Sequence, residues 1–282
     1  MDLKLSEKTS DGKVKCLLCP HFCVLKKDQI GKCYARFSDG KKISHIKLGA
    51  ISSLAIESIG KKPFNHFLEG TKTLSIGSFG CNLNCKYCEN HEISQKSPTE
   101  NSQVISPSKL MEIAIEKHCQ SVSMSYNEPI LSYEYLLAVA KESALNGLQF
   151  VLKTNAFVNR DPWKEICKVT DAMNIDLKAG TKECFKFITG CSPYITKDRI
   201  KEAYEAGVHL EISLPLYYKD EELEEEINIA GEFLSSLSKD IPCHLLSIQP
   251  SHEYGNFIFN SENMKKARNI LSNYMNDIYE VD

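Results

Sequence analysis

The sequence predicts an α/β fold in which six parallel strands alternate with helices, and three observations support that prediction. Six short apolar segments recur from residue 73 onward, each bounded by glycine or other turn-forming residues, as buried strands are. Segments with the hydrophobic periodicity of helices separate them. Such alternation is typical of right-handed crossovers, which make the strands parallel. An open doubly wound sheet and a barrel or partial barrel both satisfy this pattern.

Each element is assigned from its local pattern. The predicted strands are 73–80, 121–127, 148–155, 172–179, 208–218 and 243–250. The predicted helices are 106–119, 132–147, 197–207, 220–237 and 261–277. Ser106 suits a helix N-cap, Gly147 suits a helix C-cap, and the acidic run 220–226 suits the solvated start of a helix. Ligands bind at the carboxyl ends of such strands, so we expect the functional residues there.

The composition is that of a soluble globular protein without a marked charge. The 282 residues carry 34 basic and 37 acidic side chains, a formal net charge of −3. This balance provides no electrostatic attraction for nucleic acid or for an anionic membrane. No apolar stretch reaches the roughly 18 residues of a membrane span, and the polar N-terminal segment does not resemble a signal peptide. We therefore expect a cytoplasmic protein that binds neither nucleic acid nor membranes.

Twelve cysteines are many for a cytosolic chain, and their distribution indicates metal or iron–sulfur ligation. Cytosolic thiols stay reduced, so a disulfide framework is not expected. Seven of the twelve lie in two clusters before residue 90. The other five are predicted to be mostly small, buried apolar residues: Cys119, Cys167, Cys184, Cys191 and Cys243.

The second of these clusters, Cys81, Cys85 and Cys88, has C-x3-C-x2-C spacing and directly follows the first predicted strand. A four-iron cluster normally has four cysteine ligands, so three would leave one iron free to bind an external chelate. His91 follows Cys88 by three residues, so a Cys3His zinc site is the alternative. The position on the first loop of a large β/α domain favours the iron–sulfur interpretation.

Together with this triplet, several segments resemble the radical SAM superfamily, and within it the AmmeMemoRadiSam-system enzymes, which are related to pyruvate formate-lyase activating enzymes. The segments are CLLCPHFCVLKKDQIGKCYAR, IGKKPFNHFLEG, SIGSFGCNLNCKYCENHEISQ, SYNEP, KTNAF, NIDLKA and FITGCSPYI. The resemblance implies a partial (β/α)6 TIM-type barrel and a [4Fe–4S] cluster whose open iron binds S-adenosylmethionine (SAM). In that family one electron cleaves SAM to a 5′-deoxyadenosyl radical, which abstracts hydrogen from a substrate.

The resemblance also implies SAM contacts at the strand ends. The segment 126–129 (YNEP) corresponds to the family's glycine-glycine-glutamate segment, although a helix cap with Pro129 opening the next helix explains the same residues. His252 lies in a proline-x-histidine-x-x-glycine pattern with Pro250 and Gly255. For the remaining contacts a strand-to-loop turn or a plain salt bridge is the simpler alternative. The implied contacts are Tyr126, Asn127, Glu128, Thr154, Asn155, Asp176, Lys178 and His252.

The first cysteine cluster has C-x2-C-x3-C-x9-C spacing, enough ligands for a closed second site of zinc or an iron–sulfur cluster. Its members are Cys16, Cys19, Cys23 and Cys33. A structural metal would stabilise residues 1–70, which lack the β/α pattern and are predicted to be an appendage to a barrel domain at 71–282. The nearby charges of Arg36, Lys61 and Lys62 are predicted to lie on the surface.

The leading functional prediction is an anaerobic radical SAM enzyme that abstracts hydrogen from an unidentified small-molecule or protein substrate. One alternative is an activase that places a glycyl radical on a partner protein. The other is a non-enzymatic iron–sulfur or zinc protein. Both enzymatic functions require an external one-electron reductant of the flavodoxin or ferredoxin type.

Overall fold

The computed structural model describes residues 3–192, 194–217, 220–249, 251–254 and 261–281, with only the backbone described at 220 and 221. Short strands occupy the N-terminal part: β1 (Ser6–Lys8), β2 (Val14–Cys16), β3 (Val24–Leu25), β4 (Arg36–Ser38) and β5 (Ile43–His45). Strands β1, β2 and β3 form an antiparallel sheet, and β4 pairs with β5 as an antiparallel hairpin.

An eight-stranded sheet forms the body of the molecule. Its strands are β6 (Ser53–Ser58), β7 (Lys72–Gly77), β8 (Ser121–Ser125), β9 (Gln149–Thr154), β10 (Ala172–Asp176), β11 (His209–Leu216), β12 (Cys243–Ser247) and β13 (Ile278–Val281). The spatial order follows the chain order, with β6 antiparallel to β7 and every later pair parallel. A doubly wound sheet would reverse its strand order at a switch point. The sequential order therefore confirms the partial barrel.

Helices connect the parallel strands. They are α1 (His91–Ser94), α2 (Pro107–Glu116), α3 (Tyr133–Leu145), α4 (Arg160–Cys167), α5 (Lys182–Thr189), α6 (Thr196–Glu205), α7 (Asp220–Leu237) and α8 (Ser261–Leu271). Each predicted strand and helix is present, and most end short of the predicted limits. Tyr218 of the fifth predicted strand and Pro250 of the sixth lie outside the described residues. Sequence analysis did not predict β6, β13, α1, α4 or α5.

The two faces of the sheet differ in chemistry because side chains alternate along each strand. Leu74 and Ile76 of β7 are buried in the main apolar cluster, together with residues of α2 and α3. The intervening Ser75 faces Ser123 of β8, with their hydroxyl oxygens 3.1 Å apart. The apolar core thus lies between sheet and helices, while polar residues line the barrel interior.

The N-terminal segment is joined closely to the barrel. Strand β6 lies within residues 1–70 yet pairs along its whole length with β7. Arg36, which we predicted to lie on the surface, is 1% exposed and forms a bidentate ion pair with Glu134 of α3 at 2.6 and 2.8 Å. That prediction was wrong because the partner carboxylate is 98 residues away in sequence. The domain division at residue 70 stays a prediction.

The loop after β6 closes the barrel end at which the parallel strands begin. Phe64 is fully buried against Val151 and Ala172. The backbone N–H groups of Asn65 and His66 donate to the carboxylate of Glu211 on β11 at 2.9 and 2.8 Å. This loop therefore packs against the ends at which β9, β10 and β11 begin.

The acidic run at the start of α7 is only partly solvated. Glu222, Glu224 and Glu225 are exposed as predicted, but Glu226 is 2% exposed. Its carboxylate accepts hydrogen bonds from the backbone N–H groups of Gly180 and Thr181, at the start of α5. The prediction of a solvated face was wrong for Glu226 because that carboxylate caps a neighbouring helix. Within the described ranges, the structure contains no helix with the length and apolar character of a membrane span.

Candidate functional site

A cavity of about 670 Å³ lies at the carboxyl ends of the strands and extends to the turn after β6. Ten of the eleven residues predicted for the cluster and for SAM line it, although they come from four separate segments of the chain. These ten are Cys81, Cys85, Cys88, Tyr126, Asn127, Glu128, Thr154, Asn155, Asp176 and Lys178. The topology brings them together because successive parallel strands end at the same edge of the sheet.

Gly80 fixes the start of the cysteine loop. Its φ of +87° lies in the left-handed region, and a Cβ atom there would lie 2.2 Å from the carbonyl oxygen of Cys33. Only glycine accommodates both the backbone conformation and this close approach. The loop that carries Cys81, Cys85 and Cys88 therefore begins in direct contact with the N-terminal cysteine segment.

Asparagine side chains hold the same loop in place. The amide of Asn127 accepts from the N–H of Ser78 at 2.9 Å and donates to the carbonyl of Gly80 at 2.8 Å. Asn82 donates to the carbonyl of Phe157 at 2.7 Å and accepts from Asn155 at 3.2 Å. Asn127 and Asn155 thus position the loop from β8 and β9 as well as lining the cavity.

Glu128 is a buried carboxylate, 1% exposed, at the end of β8. It accepts hydrogen bonds from the Thr154 hydroxyl at 2.8 Å and the Asn155 N–H at 2.9 Å. It also caps the short 3-10 turn Pro129–Ser132, so the capping interpretation is correct. Burial raises the pKa of Glu128 to about 7 despite these donors, and the charge of Asp176 adds to the rise.

Asp176 and Lys178 form the expected ion pair, with a second lysine that sequence analysis missed. Lys178 Nζ and Lys153 Nζ each lie 2.9 Å from a different oxygen of the Asp176 carboxylate. Burial would raise the pKa of Asp176, but the two ammonium groups outweigh it and the pKa lies below its usual value. Lys153 is the first residue of the KTNAF segment, and its interior position follows from strand alternation.

A second charged group lines the cavity on the β6 side. The Tyr126 hydroxyl donates to Glu57 at 2.6 Å, and Lys62 pairs with the same carboxylate at 2.6 Å. Lys62 also lies 4.0 Å from the centre of the Tyr126 ring and is 4% exposed. The prediction that Lys62 is a surface charge was therefore wrong, since β6 brings it against the cavity. Lys61 lies at the rim, with its side chain 70% exposed.

The three loop cysteines are free thiols in the described structure. Burial raises the pKa of Cys85 to about 12 and that of Cys81 well above the usual value. Thiols in this setting ionise only when a cation compensates their charge, which suits them to metal ligation. Across the described part of the chain, no three His, Cys, Asp or Glu side chains are arranged to hold one single metal ion.

His252 lies apart from the other predicted contacts. It belongs to the 3-10 turn His252–Tyr254 and stacks on His91, with ring centres 3.7 Å apart. Neither histidine is among the residues that line the cavity. Pro250 and Gly255 of the predicted motif lie outside the described residues. A SAM contact by His252 and a zinc ligand role for His91 stay predictions.

The cavity wall also contains polar atoms without partners. The hydroxyl oxygens of Ser125 and Ser247 are buried, and neither has a hydrogen-bond partner among the described residues. Leu83, Pro215, Leu246 and Ile248 supply apolar surface beside them. A ligand with both polar and apolar parts would satisfy such a wall.

The four N-terminal cysteines are brought together as predicted. Their side chains line a second, small cavity beside the cysteine loop. Of the five scattered cysteines, four are buried, as expected, and Cys184 is half-buried. A second metal on these four cysteines stays a prediction.

Comparison with known proteins decides the family. The family model described as the Radical SAM superfamily matches residues 75–230, more than half of the chain. The chain belongs to the radical SAM superfamily. Members of this superfamily use a [4Fe–4S] cluster and SAM.

Two relatives are similar in sequence to this chain. An uncharacterized protein of Methanocaldococcus jannaschii is 30% identical over 251 residues, which cover 88% of this chain and 74% of that protein. A Haemophilus influenzae protein provisionally named a glycyl-radical enzyme activating enzyme is 30% identical over 118 residues, 41% of this chain and 45% of that protein.

Structures of Streptococcus suis SuiB share the fold. The one bound to precursor peptide SuiA has a TM-score of 0.59 at 14% identity, and the one bound to SAM has 0.56 at 13%. They cover 73% and 74% of this chain, which itself spans less than half of SuiB.

Proposed function

We propose that this radical SAM protein is an enzyme that holds its [4Fe–4S] cluster on Cys81, Cys85 and Cys88 and binds SAM in the adjoining cavity. The observation that supports this most strongly is the convergence of three thiols, a buried carboxylate and a lysine–aspartate group on one cavity. A volume of about 670 Å³ is suitable for a cofactor of this size.

The cavity residues match the groups of SAM. Glu128, when ionised, is an acceptor for the methionyl ammonium, and Lys178 is a donor for the methionyl carboxylate. The unpartnered hydroxyls of Ser125 and Ser247 and the apolar wall fit the polar and apolar edges of a nucleoside. When bound, the cluster and SAM supply a one-electron reduction that generates a carbon radical for hydrogen abstraction.

The chain itself positions the cysteine loop and the charged groups of the cavity, and it excludes water from them. Asn127 and Asn155 hold the cysteine loop, and the Asp176 group fixes the lysine ammonium. The apolar side chains around Leu246 keep water from the reacting groups. A one-electron carrier of the flavodoxin or ferredoxin type, and a cytoplasmic location, remain parts of this proposal.

A partner protein is the second candidate for the substrate, in place of a small molecule. The H. influenzae relative, with its activating-enzyme name, favours this alternative. An activase would use the same cluster and cavity, so the two candidates differ only in what enters from solvent. The non-enzymatic alternative is disfavoured by membership of an enzyme superfamily.

The experiment is an anaerobic assay of 5′-deoxyadenosine formed from SAM by dithionite-reduced protein. We expect product from the wild type and from Cys119→Ser, a buried cysteine far from the cavity, and none from Cys85→Ala. Product from Cys85→Ala, or none from the wild type after cluster reconstitution, would contradict the assignment. Adding candidate small molecules or proteins then identifies the substrate class by the increase in SAM cleavage.

A further inference from the structure

The cavity among the four N-terminal cysteines has the features of a built metal site. All four are free thiols that line the same cavity, three of them buried and Cys23 half-buried. The rest of the wall is largely apolar, with Leu18, Leu25, Ile43 and Leu131. These four reduced thiols line one largely apolar pocket and form no disulfide. Metal ligation is the usual reason for reduced cysteines to cluster in this way.

Two neighbours of the thiols support this interpretation. The backbone at Gly31 borders the thiols, since an added Cβ would be in ordinary van der Waals contact with the sulfur atoms of Cys23 and Cys33, each at 3.8 Å. Arg36 also lines the cavity and is almost fully buried, and its Nε has no hydrogen-bond partner among the described residues. A buried N–H donor normally has an acceptor, and a metal-bound thiolate or sulfide would supply one. The permanent charge of arginine would also offset the negative charge of four thiolates.

The arrangement favours a cluster over a single ion. A tetrahedral zinc with 2.3 Å bonds to sulfur holds its thiolates only ~3.8 Å apart. Among the described residues, no three His, Cys, Asp or Glu side chains are arranged to hold a single metal ion. An iron–sulfur cluster contains several metal atoms, so its cysteine ligands surround it at wider spacing.

The second site is packed directly against the cysteine loop of the barrel. His21, which lies between Cys19 and Cys23, contacts the carbonyl oxygen of Asn82 through Nε2 at 2.7 Å. Cys19 belongs to the same apolar cluster as Leu83 and Cys85. The N-terminal cysteines therefore adjoin the loop that follows β7 and do not form a remote appendage.

We propose that Cys16, Cys19, Cys23 and Cys33 hold a second iron–sulfur cluster. Because four thiolates complete its ligation, this cluster has no open iron and does not bind SAM. The inference goes beyond the proposed function, since it concerns a different set of ligands and does not depend on SAM cleavage.

The test uses full-length protein in which Cys81, Cys85 and Cys88 are replaced by alanine. After anaerobic reconstitution, iron, sulfide and zinc are quantified, and electron paramagnetic resonance (EPR) spectra of the reduced protein are recorded with and without SAM. We expect about four irons per chain and a signal that SAM does not change. Adding Cys23→Ser to this variant should remove the iron, whereas adding Cys119→Ser should leave it. Circular dichroism checks that each variant is folded.

If the triple variant does not fold, the same measurements on wild type and Cys23→Ser decide the question. Iron should fall by about half in Cys23→Ser, and the SAM-sensitive signal should remain. About one zinc and no iron in the triple variant, or iron content unchanged by Cys23→Ser, would overturn the inference. Iron that survives in the triple variant but is lost with Cys23→Ser would support it even if the wild type never cleaved SAM.

Discussion

Glu128 makes SAM binding depend on pH if it receives the SAM ammonium. Its pKa of about 7 means that the ionised fraction falls from about nine-tenths at pH 8 to about one-tenth at pH 6. The wild-type affinity for SAM should therefore weaken by up to about tenfold across this range, relative to Glu128→Gln. Calorimetric titration of cluster-loaded protein at several pH values measures this. Parallel pH profiles for the two proteins would remove Glu128 from the SAM contacts.

Lys178 should contribute one charged hydrogen bond to SAM. Replacing it by methionine keeps the apolar stem, and Lys153 still neutralises Asp176, so the cavity should keep its shape. The expected loss is about 1.5–3 kcal/mol, roughly 10- to 150-fold in Kd.

Lys61→Met is the matched control for that measurement. Lys61 stands at the cavity rim, but its side chain is mostly exposed and water screens its charge. Its loss should change the Kd of SAM by less than about threefold. Equal effects of the two substitutions would mean that Lys178 acts only through the general potential of the cavity.

For single residues, the sequence predicted which residues lie at the site better than it predicted the residues that they contact. The cysteine loop, Glu128 and Asp176 follow strand ends, and strand ends are visible as the limits of apolar runs. Arg36, Lys62 and Glu226 were misassigned because each packs against a residue distant in sequence, namely Glu134, Tyr126 and Gly180. Local composition alone does not reveal such a partner.

Among the elements, the turn from β7 into the cysteine loop depends most on a single residue. Gly80→Ala should lower the free energy of unfolding by more than about 2 kcal/mol, because a left-handed backbone and a backbone clash add together. Gly147→Ala shares a positive φ of +69° but meets no atom within 4 Å. It should cost only about 1–2 kcal/mol.

Thermal unfolding of both glycine variants, with iron content measured in parallel, tests this prediction. Gly80→Ala should also lose iron, since the clash displaces the loop that carries Cys81. Equal stability and iron content in the two variants would show that the contact with Cys33 is not important for the loop.

The sequence predicted the strands and helices whose hydrophobic pattern is strong. It missed those that form only by pairing with other parts of the chain or that are too short to show a pattern. The six predicted strands are largely buried and are bounded by turn-forming residues, which makes them visible in the sequence. Strand β6 is half-exposed in alternate positions and pairs only as an antiparallel edge. Helices α4 and α5 have eight residues each, too short for a clear period in the sequence.

For the whole molecule, Glu211 joins the N-terminal loop to the barrel. It is fully buried and accepts from two backbone N–H groups of that loop, with His244 Nε2 at 2.7 Å. Burial opposes ionisation, but hydrogen bonds with His209, His244 and the backbone N–H groups hold the pKa of Glu211 at about 2. The stabilisation is therefore complete above the ordinary glutamate pKa and is lost as the pH falls toward 2.

Glu211→Ala should lower the free energy of unfolding by about 3–5 kcal/mol at pH 7, because several buried donors lose their acceptor. Glu116→Ala, on the exposed side of α2, should change it by no more than about 0.5 kcal/mol. Denaturant unfolding of both variants measures the difference. A small effect for Glu211→Ala would indicate that the loop is not held by this carboxylate.

The predicted domain boundary at residue 70 follows the sequence pattern, whereas contacts in the structure cross that boundary. The β/α rhythm begins at residue 73, and that is the only boundary a sequence pattern can mark. Strand β6, Arg36 and the loop around Phe64 nevertheless contact the barrel extensively. The division into an appendage at 1–70 and a barrel domain at 71–282 stays a prediction.

The most direct test of the central claim is EPR spectroscopy of anaerobically reconstituted, reduced wild-type protein, with and without SAM, beside Cys85→Ala. An open iron on Cys81, Cys85 and Cys88 predicts a cluster signal that SAM shifts in the wild type and that is missing in the variant. A wild-type signal that SAM leaves unchanged, or a SAM-shifted signal that survives in Cys85→Ala, would contradict the assignment of the cavity as the SAM site.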